Sequence, residues 1–196
     1  MKTNKLIKNF SYSVLANGTN TLISLILVLF VPKILGVKEY SYWQLYLFYA
    51  SYIGFFHFGW ADGVYLKFGG KKYEDLDKGY FHSQFWLLTI FEIVLCVIFG
   101  ILTVIFCEDE SRRIVLLAVA LCCVLQIPRT FLQYLLQTTN RIVDYAKNYL
   151  LEKIVYAILV VIALFLGVRS FEILVCADLF SRFLTLVLLS KECKNI

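Results

Sequence analysis

The chain has 196 residues, of which 60% are hydrophobic and 17% aromatic, and its mean hydropathy is +0.75. Soluble domains are about 45–50% apolar, so too little polar sequence is left here to cover a globule in water. The formal charge of +5 belongs with anionic headgroups rather than a nucleic-acid surface, because its lysines and arginines gather in short connectors between apolar stretches.

A hydrocarbon core about 30 Å thick is crossed by roughly 20 helical residues, and six stretches of that order follow one another: 11–31, 40–58, 81–106, 114–136, 148–167 and 171–189. Runs such as 22–31 and 154–166 do not alternate polar with apolar residues, which excludes a membrane β-barrel. The expected class is therefore all-α: a single polytopic domain over residues 1–196 with six transmembrane helices.

The first stretch follows Lys2, Lys5 and Lys8 but is too long for a secretory leader and lacks a small-residue cleavage pattern, so a retained helix is expected. Ser13, Asn17, Asn20, Thr21 and Ser24 recur in it at helical spacing. The second stretch is dense in aromatics, and Tyr42, Tyr46, Tyr49, Tyr52 and Phe56 fall on one face. Its end residues fit an interfacial aromatic belt. Its central tyrosines fit either that belt or contact with an amphipathic cargo, each ring offering an apolar face and a hydroxyl. The connector 61–80 mixes Lys67, Lys71, Lys72 and Lys78 with Asp62, Glu74, Asp75 and Asp77, which suits either a solvated loop or a short amphipathic helix on the membrane surface.

The third stretch offers Thr89 and Glu92, and the fourth carries Gln126, Arg129, Gln133, Gln137 and Asn140 beside Pro128. No acid stands three or four residues from Arg129, so its partner must come from another helix, Glu92 or Asp178, or from an anionic ligand. Asn148, Glu152 and Lys153 open the fifth stretch, and Asp178, Ser181, Arg182 and Thr185 form a stripe in the sixth, where Asp178 and Arg182 can pair along their own helix. A charge at the centre of a membrane helix costs about 2.5–3.5 kcal/mol on the insertion scale, so all these stripes are expected to face the bundle interior.

Alternate connectors carry eleven basic residues (three N-terminal lysines, four lysines between the second and third stretches, Arg141, Lys147, Lys191 and Lys194) against five on the other side (Lys33, Lys38, Arg112, Arg113 and Arg169). Both termini are accordingly expected in the cytoplasm, with Glu108-Asp109-Glu110 outside. The six cysteines form no C-x-x-C pair and read as free packing thiols, and His57 and His82 read as packing residues. No hydrolase, nucleotide-binding or metalloprotease motif occurs, so neither enzymatic activity nor a metal or cofactor is expected.

The run Pro32-Lys33-Ile34-Leu35-Gly36-Val37-Lys38-Glu39-Tyr40, then Trp43-Gln44-Leu45 and Gly59-Trp60-Ala61-Asp62-Gly63-Val64-Tyr65-Leu66-Lys67-Phe68-Gly69-Gly70, resembles the first two helices of bacterial polysaccharide biosynthesis proteins. These are the O-antigen and capsule flippases of the multidrug/oligosaccharidyl-lipid/polysaccharide exporter superfamily. The resemblance is strongest over residues 10–80, and Ser41 departs from it where members often carry glycine.

It implies an inner-membrane transporter for lipopolysaccharide or capsule synthesis, built of two six-helix lobes around a cavity that moves undecaprenyl-diphosphate-linked oligosaccharide to the outer leaflet. On that analogy Arg129 and Arg182 would draw the diphosphate, with Asp178, Glu92, Asn17, Asn20, Gln126, Gln133, Tyr46 and Tyr49 lining the cavity. Six helices make one lobe, so the chain is either an amino-terminal portion or assembles with a second copy, and polysaccharide assembly enzymes are further implied partners. Two alternatives stand beside this one: an ion-coupled drug or metabolite exporter of the same superfamily, although the first stretch holds no acid, and a non-transporting scaffold for polysaccharide enzymes. The scaffold predicts polar stripes wholly consumed by interhelical hydrogen bonds.

Overall fold

A computed structural model describes residues 2–193, with side-chain surroundings from Asn9 onward. Among the described residues the chain is all helix: α1 (Lys2–Leu35), α2 (Val37–Ser51), α3 (Trp60–Phe68), α4 (Lys78–Phe106), α5 (Glu110–Thr138), α6 (Ile142–Phe165) and α7 (Phe171–Glu192), with single 3-10 turns at Ile53–Phe55 and Tyr73–Asp75. Five helices are long and apolar enough to cross a membrane: α1 from Asn9 onward, α4, α5, α6 and α7.

The expected second span, 40–58, is not a single helix. α2 stops at Ser51, whose hydroxyl turns back to donate to the Phe48 carbonyl at 2.6 Å, a bond that competes with helix propagation. One 3-10 turn follows, and the chain then bends through two positive-φ residues, Phe58 at 48° and Gly59 at 76°, before entering α3. Part of the connector expected to be a loop or an amphipathic segment is thus the nine-residue α3, which buries Ala61 and Val64.

Helix starts follow their caps. The Asp77 carboxylate accepts from the Tyr80 N–H at α4, and Asp109 accepts from the Arg112 N–H at α5, each satisfying a backbone donor that has no partner within the helix. The bond from Arg112 holds the Asp109 carboxyl below the usual carboxylate range, and the Tyr42 hydroxyl donates to it as well, at 3.1 Å. α7 borrows its cap from α2: Glu39 accepts from the Phe171 N–H at 2.9 Å. One end of the bundle is thereby stapled by two acids. The other end is closed by the Asn9 amide donating to Asn140 and the Gly70 N–H donating to the Thr138 carbonyl.

Packing runs in the order α4, α5, α7, α6, α1, with α2 and α3 laid over α5. Trp43, Tyr46, Phe81, Phe131, Leu135, Leu136, Phe171 and Leu189 fill the interior. α4 contributes only Phe81, Leu88, Glu92 and Thr103 to the buried set, and its outer faces from Trp86 to Phe106 are almost entirely exposed apolar side chains. α1 packs through Ala16, Leu27, Val31 and Leu35.

A Cβ at Gly59 would meet no atom within 4 Å, so its requirement for glycine is purely one of backbone conformation. Gly59→Ala should therefore destabilise the protein by about 1–2 kcal/mol, read as a lower thermal midpoint in detergent. Gly54→Ala, at an equally open site without a positive φ, should leave the midpoint unchanged.

Candidate functional site

The middle of the bundle is polar where α2, α5, α6 and α7 meet. Arg182 lies halfway along α7 and donates from Nε to Asp178 Oδ2 at 2.7 Å, the intrahelical pair expected from the spacing. The same carboxylate oxygen accepts the Tyr46 hydroxyl at 2.6 Å, and Arg182 Nη1 donates to Gln126 Oε1. Four of the expected site residues, from three helices, thus form one connected network. All but Gln126 are buried, and Gln126 is half-buried. α7 brings them together because Asp178, Ser181, Arg182 and Thr185 share its inner face, with the Ser181 and Thr185 hydroxyls donating to carbonyls of their own helix.

Arg129, also buried, pairs with Glu152 of α6 and not with Glu92 or Asp178 as the sequence led one to expect. The rotation of α6 decides this: Asn148, Glu152 and Tyr156, four residues apart, all point inward. Lys153 Nζ lies 3.6 Å from the other Glu152 oxygen. Asn148 donates to the Thr185 carbonyl at 3.2 Å, and Tyr156 accepts from the Trp43 indole N–H at 3.3 Å. Glu152 and Lys153, expected to face inward but not named as cavity residues, belong to the site, as does Tyr156, which sequence reasoning did not name; the recurrence of polar residues at 148, 152 and 156 is the pattern that marks it.

The cluster holds three cations, Arg129, Lys153 and Arg182, against two carboxylates, Glu152 and Asp178. Among the described residues, Arg129 Nε and Gln133 Nε2 are buried donors without an acceptor, and Asn148 Oδ1 is a buried acceptor without a donor. Native interiors leave few such groups unpaired. The arrangement therefore has one uncompensated positive charge and two idle donors, the complement of an anion.

The other expected residues lie elsewhere. Asn17 is exposed and Asn20 half-exposed, and Thr21 and Ser24 are exposed on the same helix. The α1 stripe thus faces out of the bundle and not into it, because α1 presents its apolar residues to α6 and α2. Tyr49 is half-buried in α2, its ring edge-on to Phe48. Glu92 is fully buried in α4, away from the network, where its carboxylate accepts from the Cys123 thiol at 3.4 Å. All six cysteines are free.

Comparison of the chain with protein-family models, curated proteins and solved structures finds no match.

Removing one partner of a buried ion pair costs about 3–5 kcal/mol, whereas replacing both by apolar residues is often neutral. Glu152→Gln should accordingly lower stability in detergent by that amount. Adding Arg129→Met should restore most of it, which thermal unfolding of the two single variants and the double variant would measure.

Proposed function

We propose that the chain is one lobe of a bacterial inner-membrane transporter that carries an anionic, lipid-linked oligosaccharide across the bilayer. The observation that carries this reading is the polar chemistry at mid-bundle: an excess cation and idle donors among α5, α6 and α7, together with a polar stripe on the outer face of α1.

Membrane embedding is supported by the surface. Soluble monomers rarely expose contiguous apolar patches beyond a few hundred Å², yet the outward faces of α4 and much of α1 are apolar along their length. The sixth crossing is made by α2, the turn after it and α3, since Glu39 beside Phe171 and Gly70 beside Thr138 lie at opposite ends of the bundle. The fifteen residues of α2 and the nine of α3 at about 1.5 Å each cover the roughly 30 Å required. The charge asymmetry of the connectors puts both termini in the cytoplasm.

Lipid offers nothing to an exposed asparagine amide, so Asn17, Thr21 and Ser24 face a water-filled cavity or another polar wall. A second six-helix lobe supplies that wall, and the cavity lies between the two. The guanidinium groups of Arg129 and Arg182, buried between α5, α6 and α7 inside the lobe, suit a diphosphate that enters from this cavity, since a guanidinium stays charged and can donate bidentate hydrogen bonds. The sugars meet the amide and hydroxyl groups of α1 and the tyrosines of α2. The resemblance over residues 10–80 to polysaccharide flippases supports the same cargo. A scaffold would have its stripes consumed by interhelical hydrogen bonds, and the exposed α1 stripe speaks against it.

The decisive assay is translocation of a fluorescent polyprenyl-diphosphate sugar in proteoliposomes, read by quenching from outside. The protein should accelerate equilibration over empty liposomes, and Asn17→Leu should abolish the acceleration without shifting the thermal midpoint. Equal rates with and without protein, at densities where native gels show paired lobes, would refute the proposal.

A further inference from the structure

Glu92 stands at the midpoint of α4, fourteen residues from either end, and is fully buried. It is the one charged residue type between Lys78 and Cys107 in a helix that is otherwise apolar apart from a few hydroxyl, amide and imidazole side chains near its start and Thr103. Among the described residues no basic side chain lies within ion-pair reach of it, and its Oε1 has no hydrogen-bond partner. An acid so placed in a membrane helix marks function by default, and Glu92 takes no part in the charged network of α5, α6 and α7.

Its neighbours are two thiols. Cys96 follows one turn later on α4, and Cys123 projects from α5, so that a carboxylate oxygen and both sulfurs lie within 4.8 Å of one another. Cys123 Sγ is 3.4 Å from Glu92 Oε2. In a tetrahedral zinc site, Zn–S of about 2.3 Å and Zn–O of about 2.0–2.2 Å place a sulfur and an oxygen ligand roughly 3.6 Å apart. The observed edge already matches. Beside the three groups is a cavity of about 90 Å³ bounded by Ile53, Phe56, Leu95, Phe99, Val119 and Ala120, large enough for an ion with a water as fourth ligand and without any competing cation.

We propose that Glu92, Cys96 and Cys123 bind one thiophilic divalent cation of the zinc class between α4 and α5. Two thiolates and a carboxylate select such an ion over the hard magnesium and calcium, which take oxygen ligands. Charge is nearly balanced as well. With the carboxyl and both thiols protonated the site is neutral; binding one divalent ion to two thiolates and a carboxylate expels three protons to solution and leaves a single net negative charge. Because α4 rests chiefly on α5, the ion would clasp a largely exposed helix to the rest of the bundle. The proposal is independent of what the lobe transports.

The test uses the full chain, reduced and stripped with chelator in detergent, titrated with cobalt(II) and then back-titrated with zinc. Expected are the intense visible bands of tetrahedral thiolate-bound cobalt at one ion per chain, their loss on adding zinc, and release of three protons per ion. Cys96→Ser and Cys123→Ser should each weaken binding by more than the roughly 10–100-fold that loss of an outer partner costs a metal site. Cys176→Ser, at an exposed thiol, should leave it unchanged. Since the serine variants can fail to fold, wild-type protein in native membranes provides a second readout: zinc should shield Cys96 and Cys123 from alkylation while Cys176 stays reactive. Absence of a saturable band in wild type, binding that survives in both serine variants, or alkylation indifferent to zinc would each overturn the assignment.

Discussion

The architecture depends on satisfying one carboxylate. Asp178 is buried halfway through a helix bundle where no water competes, and there an unpaired charge is far costlier than in solution. A single oxygen, Oδ2, takes both the Arg182 guanidinium and the Tyr46 hydroxyl, and Arg182 in turn reaches Gln126. Three helices are thus fixed in rotation and in height by one acceptor. α7 must turn its 178–182–185 face inward, α2 must present Tyr46 rather than a neighbouring tyrosine, and α5 must place Gln126 opposite. Hydrophobic packing alone sets these registers less sharply, because cores of similar total volume can repack at modest cost.

The Arg129 and Glu152 pair extends the same logic to α6, which carries α1 on its other side. Pro128, one residue before Arg129, lacks the N–H that would bond the Val124 carbonyl. α5 is therefore weakest in its own ladder where it makes its strongest interhelical contact, and the ion pair holds it there. Around this centre the surface divides. α4 shows apolar residues almost everywhere, while α1 keeps an exposed polar stripe.

Much of this was legible in the sequence because it is local. Four of the five long helices, α1, α4, α5 and α7, contain the apolar runs read from composition; in α6 the start lies earlier than expected, at Ile142, because a helix extends past its apolar stretch into Asp144 and Lys147. The Asp178 and Arg182 pair is an i, i+4 relation within one helix and could be read directly. The break after Ser51 could not: aromatic residues populate helices, turns and interfaces alike, and the left-handed step at Phe58 and Gly59 belongs to backbone geometry. Nor could the partner of Arg129: Glu92, Asp178 or an anionic ligand were the readings open, and only the rotation of α6 brings Glu152 to it instead. That Glu92 meets Cys96 and Cys123 could not be read for a similar reason. Two of them are one turn apart, but the third is 27 residues beyond Cys96, a spacing no motif describes.

The α1 stripe shows why periodicity stops short of orientation. A helix with one polar and one apolar face can bury either, and which it buries depends on the medium on each side. Polar residues turn inward where lipid surrounds the bundle, and on that rule Asn17 and Ser24 belonged inside. They lie outside because Ala16, Leu27, Val31 and Leu35 already fill the contact with α6 and α2, leaving no room or partner for an amide. In a bilayer, as proposed above, a polar and exposed face cannot be lipid-facing at equilibrium without cost, so what covers it must itself offer hydrogen bonds. Water held between two lobes, a second lobe, or the hydroxyls of a sugar all meet that requirement, and the hydrocarbon chains of a lipid do not.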